Sequence, residues 1–327
     1  MTSRHGFRRK VLGTNSLVQD RPLRDRASFV AVLAIVVLAL SACASAETPV
    51  APVTALPPRP PVAADVRPSK VLVVVEENNS ATSALQQMPY LAGMADAYGQ
   101  STDYRAVAHP SLPNYLAIAG GSTFGVADDD NPASHPIAGD SVFDRALASG
   151  RSAKTYAETM PAPCAVDPAG GYAVKHNAWA YFSDPTSRSN CQRFDVPAGT
   201  ASSGPLRTDV DAGTLPTVGE LIPDLCHDGH DCSLGTADDW LREWLPVVMA
   251  GPDYQSGRLA IVVTFDEDDD SGPNTVLTTV VAPNVVHVRS GETFTHYSLS
   301  RYLAELSGTS PLGAAASAPS LRPAFGL

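Results

Sequence analysis

Positive charge is scarce in this sequence. Its 327 residues hold 23 Lys and Arg against 34 Asp and Glu, a formal net charge of −11. Removing positions 1–42, with seven basic and two acidic residues, takes that charge from −11 to −16. So acidic a surface excludes nucleic acid as a partner recognised through a basic field. A phosphorylated small molecule or phospholipid head group would have to be drawn in by local positive groups or a metal. Cysteines are also few, five in all. A long apolar stretch is missing as well, because Phe29–Leu40 is short of the roughly 20 residues that span a membrane comfortably.

That short run follows Arg4, Arg8, Arg9, Lys10, Arg21, Arg24 and Arg26, the order of charge and apolarity in an export signal. It ends in Leu40-Ser41-Ala42-Cys43, which looks like a lipobox, with lipidation of Cys43 anchoring the chain on the extracytoplasmic face of the membrane. Ala44-Ser45-Ala46 offers an ordinary cleavage site instead, and secretion. Residues 1–43 therefore read as an export signal with a lipobox, and 44–69 as a Pro/Ala-rich extended linker. Residues 70–308 read as one catalytic domain, and 309–327, rich in Ala, Ser and Pro, as a low-complexity tail.

Four cysteines remain after Cys43, an even number suited to an oxidising compartment. Of the three possible pairings, proximity in sequence favours Cys164–Cys191 and Cys226–Cys232. The first brackets the segment that contains His176; the second closes a small ring expected to matter less. That ring, "CHDGHDC", also invites a zinc reading. Four ligands so closely spaced have difficulty surrounding one tetrahedral ion.

Lys70–Val75 and Leu259–Phe265 are continuous apolar, β-branched runs, the mark of strands buried on both faces. Val276–Ala282 is a third. Asp140, Thr236 and Thr295 stand as caps of helices that end near Gly150, Gly251 and Gly308. Buried strands alternating with helices predict an α/β fold, a three-layer α/β/α sandwich around a mostly parallel sheet. In that architecture chemistry collects at the C-terminal ends of the strands.

Two strand ends carry carboxylates. The first runs into "EENNS" and the second into "DEDDD". Asp268, Asp269 and Asp270 read as a solvated loop. Two acidic clusters at neighbouring strand mouths repel unless a cation lies between them. One hard divalent ion held by Glu77, Asn78, Asp266 and Glu267 resolves the conflict. In "HPSLPNYLAIAGG", Pro113 marks the first turn of a short buried helix ended by Gly120 and Gly121. Ser111 then sits beside free amides that favour an anion, or is simply the helix cap.

The motifs "VVVEENNS", "HPSLPNYLAIAGG", "YAETMPAPC", "KHNAWAYF", "HDCS…DDWL", "VTFDED" and "THYSLSRYLAEL" resemble, in this order, the bacterial phosphoesterase family. That family comprises acid phosphatases and phospholipases C of the alkaline-phosphatase superfamily. The resemblance covers nearly all of residues 70–308. It implies that Ser111 is the nucleophile, Glu77 and Asn78 the first metal-binding pair, and Asp266 and Glu267 the second. It places His109, Asn114, His176 and His296 around the phosphate. The Asp-His-Gly element of two-metal relatives is missing, which favours one divalent metal ion. His135, His227, His230 and His287 read as structural or surface residues, and Glu158 as a neighbour of the site.

The function implied is an extracytoplasmic acid phosphatase that hydrolyses phosphate monoesters, phosphoinositides among them, through a phosphoserine. Metal-activated Ser111 attacks phosphorus, His109 and Asn114 bind the phosphate, and His296, before His176, protonates the leaving alcohol. A phospholipase C-type phosphodiesterase is the first alternative. A non-catalytic surface binding lipoprotein is the second.

Overall fold

A computed structural model describes residues 55–63 and 65–327 of the chain. The export signal, the lipobox at Cys43 and the first part of the linker lie outside the described residues. No helix among the described residues is long and apolar enough to cross a membrane.

The chain forms strands β1 (Lys70–Glu76), β2 (Gly99–Ser101), β3 (Tyr104–Arg105), β4 (Ala153–Ala157) and β5 (Asp195–Pro197). It continues with β6 (Val218–Ile222), β7 (Leu259–Phe265), β8 (Thr278–Val281), β9 (Val288–Ser290) and β10 (Phe294–Thr295). Eight of these make one sheet in the order β5-β4-β6-β1-β7-β8-β2-β9; β3 and β10 form a small separate pair. From β5 to β7 every pairing is parallel. The strand expected at 276–282 begins two residues later and runs antiparallel to β7. All of β7, and β1 from Val71 onward, are buried, as their apolar runs require when helices cover both faces.

Helices pack in two groups, one around Ser111–Gly120, Val142–Ala148 and His296–Ser307, the other around Pro89–Ala97 and Leu234–Ala250. The result is a three-layer α/β/α sandwich. Thr295 caps its helix as expected, in a box with Ser298, and Gly308 ends it in the left-handed conformation. Two other caps shift by a few residues. Ser141 replaces Asp140 because Asp144 completes a capping box with it, and Ser233 replaces Thr236 because its hydroxyl accepts from Thr236 N. Ser111 is not a cap: Pro110 holds that position, and Ser111 is the first helical residue.

Residues 309–327 are built into the domain. Leu321–Phe325 is helical, and Leu321 and Phe325 are buried in the main core. Composition misled here, since two large apolar side chains, each giving about 1.5–3 kcal/mol on burial, anchor a segment otherwise made of small residues. The second half of the linker also packs: Leu56 lies against Gly93, and the Arg59 guanidinium sits 4.4 Å over the Tyr98 ring. Val62 and Val66 then pack on Gly257, and the amides of Ser69 and Lys70 donate to Arg258 O. The chain thus enters β1 at the N-terminal edge of the parallel strands.

Candidate functional site

β1 and β7 lie side by side in register, Glu76 opposite Phe265, so the residues that follow them emerge together. Successive strand residues point to opposite faces. Glu76 is buried with both carboxylate oxygens unpartnered; burial, then the charges of Asp228 and Asp238, hold its pKa far above the usual carboxylate range. Glu77 turns instead toward the Ser111–Gly120 helix. Ser111 Oγ donates to Glu77 Oε2 at 3.0 Å, and one turn later Tyr115 OH donates to Oε1 at 2.7 Å. The serine is 1% exposed. Leu112 N, an amide a bound anion could use, donates to Asp129 Oδ1 at 2.9 Å.

Asn78 takes a left-handed backbone (φ 46°), which asparagine tolerates better than most residues. Its amide donates to Asp266 Oδ1 at 3.0 Å, and Glu267 N donates to the same oxygen at 2.7 Å. Asp266 Oδ2 and Asn78 Oδ1 are buried with no partner. Burial, then Glu77 and Glu267, raise the Asp266 carboxyl well above its ordinary pKa, and contact with Ser111 offsets this in part. Glu267 Oε2 lies 2.8 Å from His109 Nδ1 and 3.4 Å from Asn114 Nδ2. Among the described residues, Glu77, Asp266 and Glu267 are not one of the groups whose donor atoms all lie within 4.8 Å of one another. Of the four expected ligands, Asn78 and Asp266 carry the open valences.

The histidines divide sharply. His176 is buried, with Nε2 2.9 Å from Glu77 Oε1 and Nδ1 3.2 Å from Asp228 Oδ2, and it stacks on Tyr115. Burial would lower its pKa, but Glu77 and Asp228 outweigh this and raise it to about 9. Burial likewise acts to raise Glu77, yet His176, Lys175 and Tyr115 bring it down to about 2. His296 is also buried, but Nε2 donates to the Asp266 carbonyl at 2.6 Å and Nδ1 meets Tyr104 OH at 3.2 Å. Burial lowers it to about 4, so the ring is neutral and neither nitrogen is left for a leaving group. His109 alone of these three keeps a third of its side chain exposed, beside Glu267, Asp268 and Asp270.

Asn114 spends its side chain on the loop before Ser111. Its Oδ1 accepts from Val107 N and Ala108 N, and its Nδ2 donates to Ala108 O. It is fully buried and therefore shapes the approach to Ser111 rather than meeting solvent. Asp268 is buried too, closing a loop with Asn274, whereas Asp269 and Asp270 are exposed as expected.

Three residues escaped the sequence reading. Lys175 Nζ lies 3.4 Å from Ser111 Oγ, 3.2 Å from Asp129 Oδ2 and 4.0 Å from Glu77 Oε2. Asp129 ties this lysine to the helix that carries the serine. Asp228 pairs with His176, and its carbonyl accepts from Glu77 N at 2.8 Å. Lys175 and Asp228 lie inside quoted motifs, "KHNAWAYF" and "CHDGHDC", but no spacing rule marks them. Both disulfides form as paired from sequence, Cys164–Cys191 and Cys226–Cys232.

The fold is thus an α/β/α sandwich with a serine and a carboxylate cluster at the C-terminal edge of a mostly parallel sheet. Two solved structures share the fold. One, an alkaline-phosphatase superfamily protein from Vibrio parahaemolyticus, matches at TM-score 0.52 and 11% identity over 79% of this chain and 72% of that one. The other, a Bacteroides thetaiotaomicron protein of glycosaminoglycan metabolism, matches at TM-score 0.52 and 9% identity over 78% and 76%. The sequence profile of the phosphoesterase family matches residues 79–275, and the chain belongs to that family. It is 32% identical over 263 residues to a phosphatidylinositol-3-phosphatase of Mycobacterium tuberculosis, covering 78% of this chain and 82% of that protein. A phosphate-repressible acid phosphatase of Penicillium chrysogenum is 29% identical over 226 residues, which is 65% of this chain and 52% of the fungal enzyme. The protein is a phosphoric ester hydrolase.

Proposed function

We propose that the protein is an acid phosphatase that hydrolyses phosphate monoesters through a phosphoserine on Ser111. One observation carries this reading: a buried serine hydroxyl on the first turn of a helix, pressed against Glu77 and Asp266 at two adjacent strand mouths. The names of the relatives support a monoester substrate, with phosphoinositides among the candidates.

The donor set fits one divalent metal ion. Asn78 Oδ1 and Asp266 Oδ2 are buried acceptors with nothing to accept from, a costly state that a hard cation relieves. Glu77, Asn78 and Asp266 would hold it beside Ser111, where it supplies Lewis acidity toward a phosphoryl oxygen. Glu267, expected among the ligands, is engaged by His109 and Asn114, and we assign it to holding His109.

The chain's own groups then divide the work. Ser111 Oγ attacks phosphorus in line, with its proton aimed at Glu77 Oε2, and the bond to the leaving oxygen breaks. His109, the histidine open to solvent, gives its proton to that oxygen and later takes one from the attacking water. His176 and His296, expected as acids, act as positioning residues: one locks Glu77, the other the Asp266 backbone. Two disulfides suit an extracytoplasmic location, and export with lipidation at Cys43 remains our reading of the N-terminus.

The decisive experiment is Ser111→Ala. The variant should fold and lose about 10³-fold or more in kcat on p-nitrophenyl phosphate. Wild-type protein dialysed against a strong chelator should fall silent and recover with a divalent ion. Near-normal turnover by the folded variant would overturn the assignment.

A further inference from the structure

The reading above leaves one charged group without a task. Lys175 reaches Ser111, Asp129 and Glu77 from a short helical turn, and its side chain is 17% exposed. The other lysines of the domain are spent elsewhere: Lys70 pairs with Asp253 and Lys154 with Asp209. Resting on the phosphomonoesterase reading, we propose that Lys175 recognises the second negative charge of a phosphate monoester and so sets the preference for monoesters over diesters.

Geometry supports this. A phosphorus poised for attack stands about 3–3.5 Å from the serine oxygen. An ammonium 3.4 Å from that same oxygen is then within hydrogen-bond reach of one equatorial phosphoryl oxygen. Asp129 fixes the ammonium relative to the nucleophile, because its other oxygen holds Leu112 N in the serine's own helix. With 30% of its side chain exposed, Asp129 can be screened by water, which leaves the lysine charge available to an incoming anion.

Charge balance points the same way. A metal held by Glu77, Asn78 and Asp266 would serve one phosphoryl oxygen. The second negative charge of a monoester still needs a cation of its own, which Glu267 beside His109 does not supply. His176 is committed to two carboxylates and both ring nitrogens of His296 are engaged, so neither is free to meet the substrate's charge. A diester carries one negative charge fewer and needs this cation less.

The test compares p-nitrophenyl phosphate with bis-p-nitrophenyl phosphate. Lys175→Met, which keeps most of the unbranched stem and removes the charge, should lower kcat/KM on the monoester about 100-fold and on the diester less than tenfold. The monoester-to-diester ratio should therefore fall at least tenfold. Lys175→Arg should keep that ratio within about threefold of wild type. If the methionine variant does not fold, Lys175→Gln is read on the same ratio. Equal losses on both substrates, or a ratio as damaged in the arginine variant as in the methionine one, would overturn the proposal. Failure of the larger reading shows separately, as turnover that survives Ser111→Ala.

Discussion

Two walls meet beside Ser111, and they are built by different means. One belongs to the sheet: Glu77, Asn78, Asp266 and Glu267 follow β1 and β7, whose ladder fixes them in register. The other is irregular chain. Lys175 and His176 sit in a single short turn, and Asp228 lies in the ring closed by Cys226–Cys232. The sheet wall inherits its geometry from the core and can therefore hold like charges together. The loop wall has no ladder. Cross-links and ion pairs give it shape.

This difference predicts opposite responses to mutation. The largest expected effect is at Asp266→Asn in the sheet wall. Turnover should fall about 10³-fold with loss of bound metal, while the melting temperature holds or rises because a buried like-charge contact is relieved. A folded variant with less than a tenfold loss in kcat would break the comparison.

Next in size come the two disulfides. Replacing Cys164 and Cys191 by Ala opens a loop with sequence separation 27, and replacing Cys226 and Cys232 one with separation 6. Chain entropy sets these at about 3.5 and about 2 kcal/mol. Turnover should not follow that order. The smaller ring carries Asp228, which meets His176 and accepts from Glu77 N, so opening it should lower kcat about tenfold. This revises the sequence expectation that the small ring matters less. Calorimetry beside kinetics decides, and unchanged turnover with the small ring open would mean that ion pairs alone hold the loop wall.

The smallest effect belongs to Glu220 on β6, a buried carboxyl outside both walls. Burial, then Asp195, raise it to about 8. The folded protein keeps this proton where the unfolded chain, with a pKa near 4, has released it. Stability linked to Glu220 is thus full below about pH 4 and declines as pH rises toward 8. Glu220→Gln removes that decline. Its melting temperature should match wild type near pH 4 and exceed it by about 10 °C at pH 8. A constant offset across the range would show that Glu220 does not titrate in the fold.

The sheet wall was legible in the sequence and, His176 apart, the loop wall was not, for a physical reason. A buried β-branched run announces both a strand and the point where it ends, so Glu77 and Asp266 declare their place by following one. Ser111 was legible through the proline and glycine punctuation of its helix. Lys175 and Asp228 acquire their roles only when irregular segments meet in space, which no periodicity encodes. The roles of the histidines failed to show for a related reason. His176 and His296 look alike as residues near an aromatic run or a helix start, and only their partners separate an ion-paired ring from a neutral one. The terminal segment was misread because two anchoring side chains weigh little in a composition but much in a core.

The place where the chain joins the domain lies far from the chemistry. Val62, Val66, Ser69 and Lys70 meet the sheet at the start of β1 and β7, and Ser111 waits at the opposite edge. A seven-residue strand separates the two by about 23 Å. The entry of the chain and the nucleophile therefore stand at opposite ends of the same parallel strands. The packing that covers one end of the sheet is not shared with the chemistry at the other.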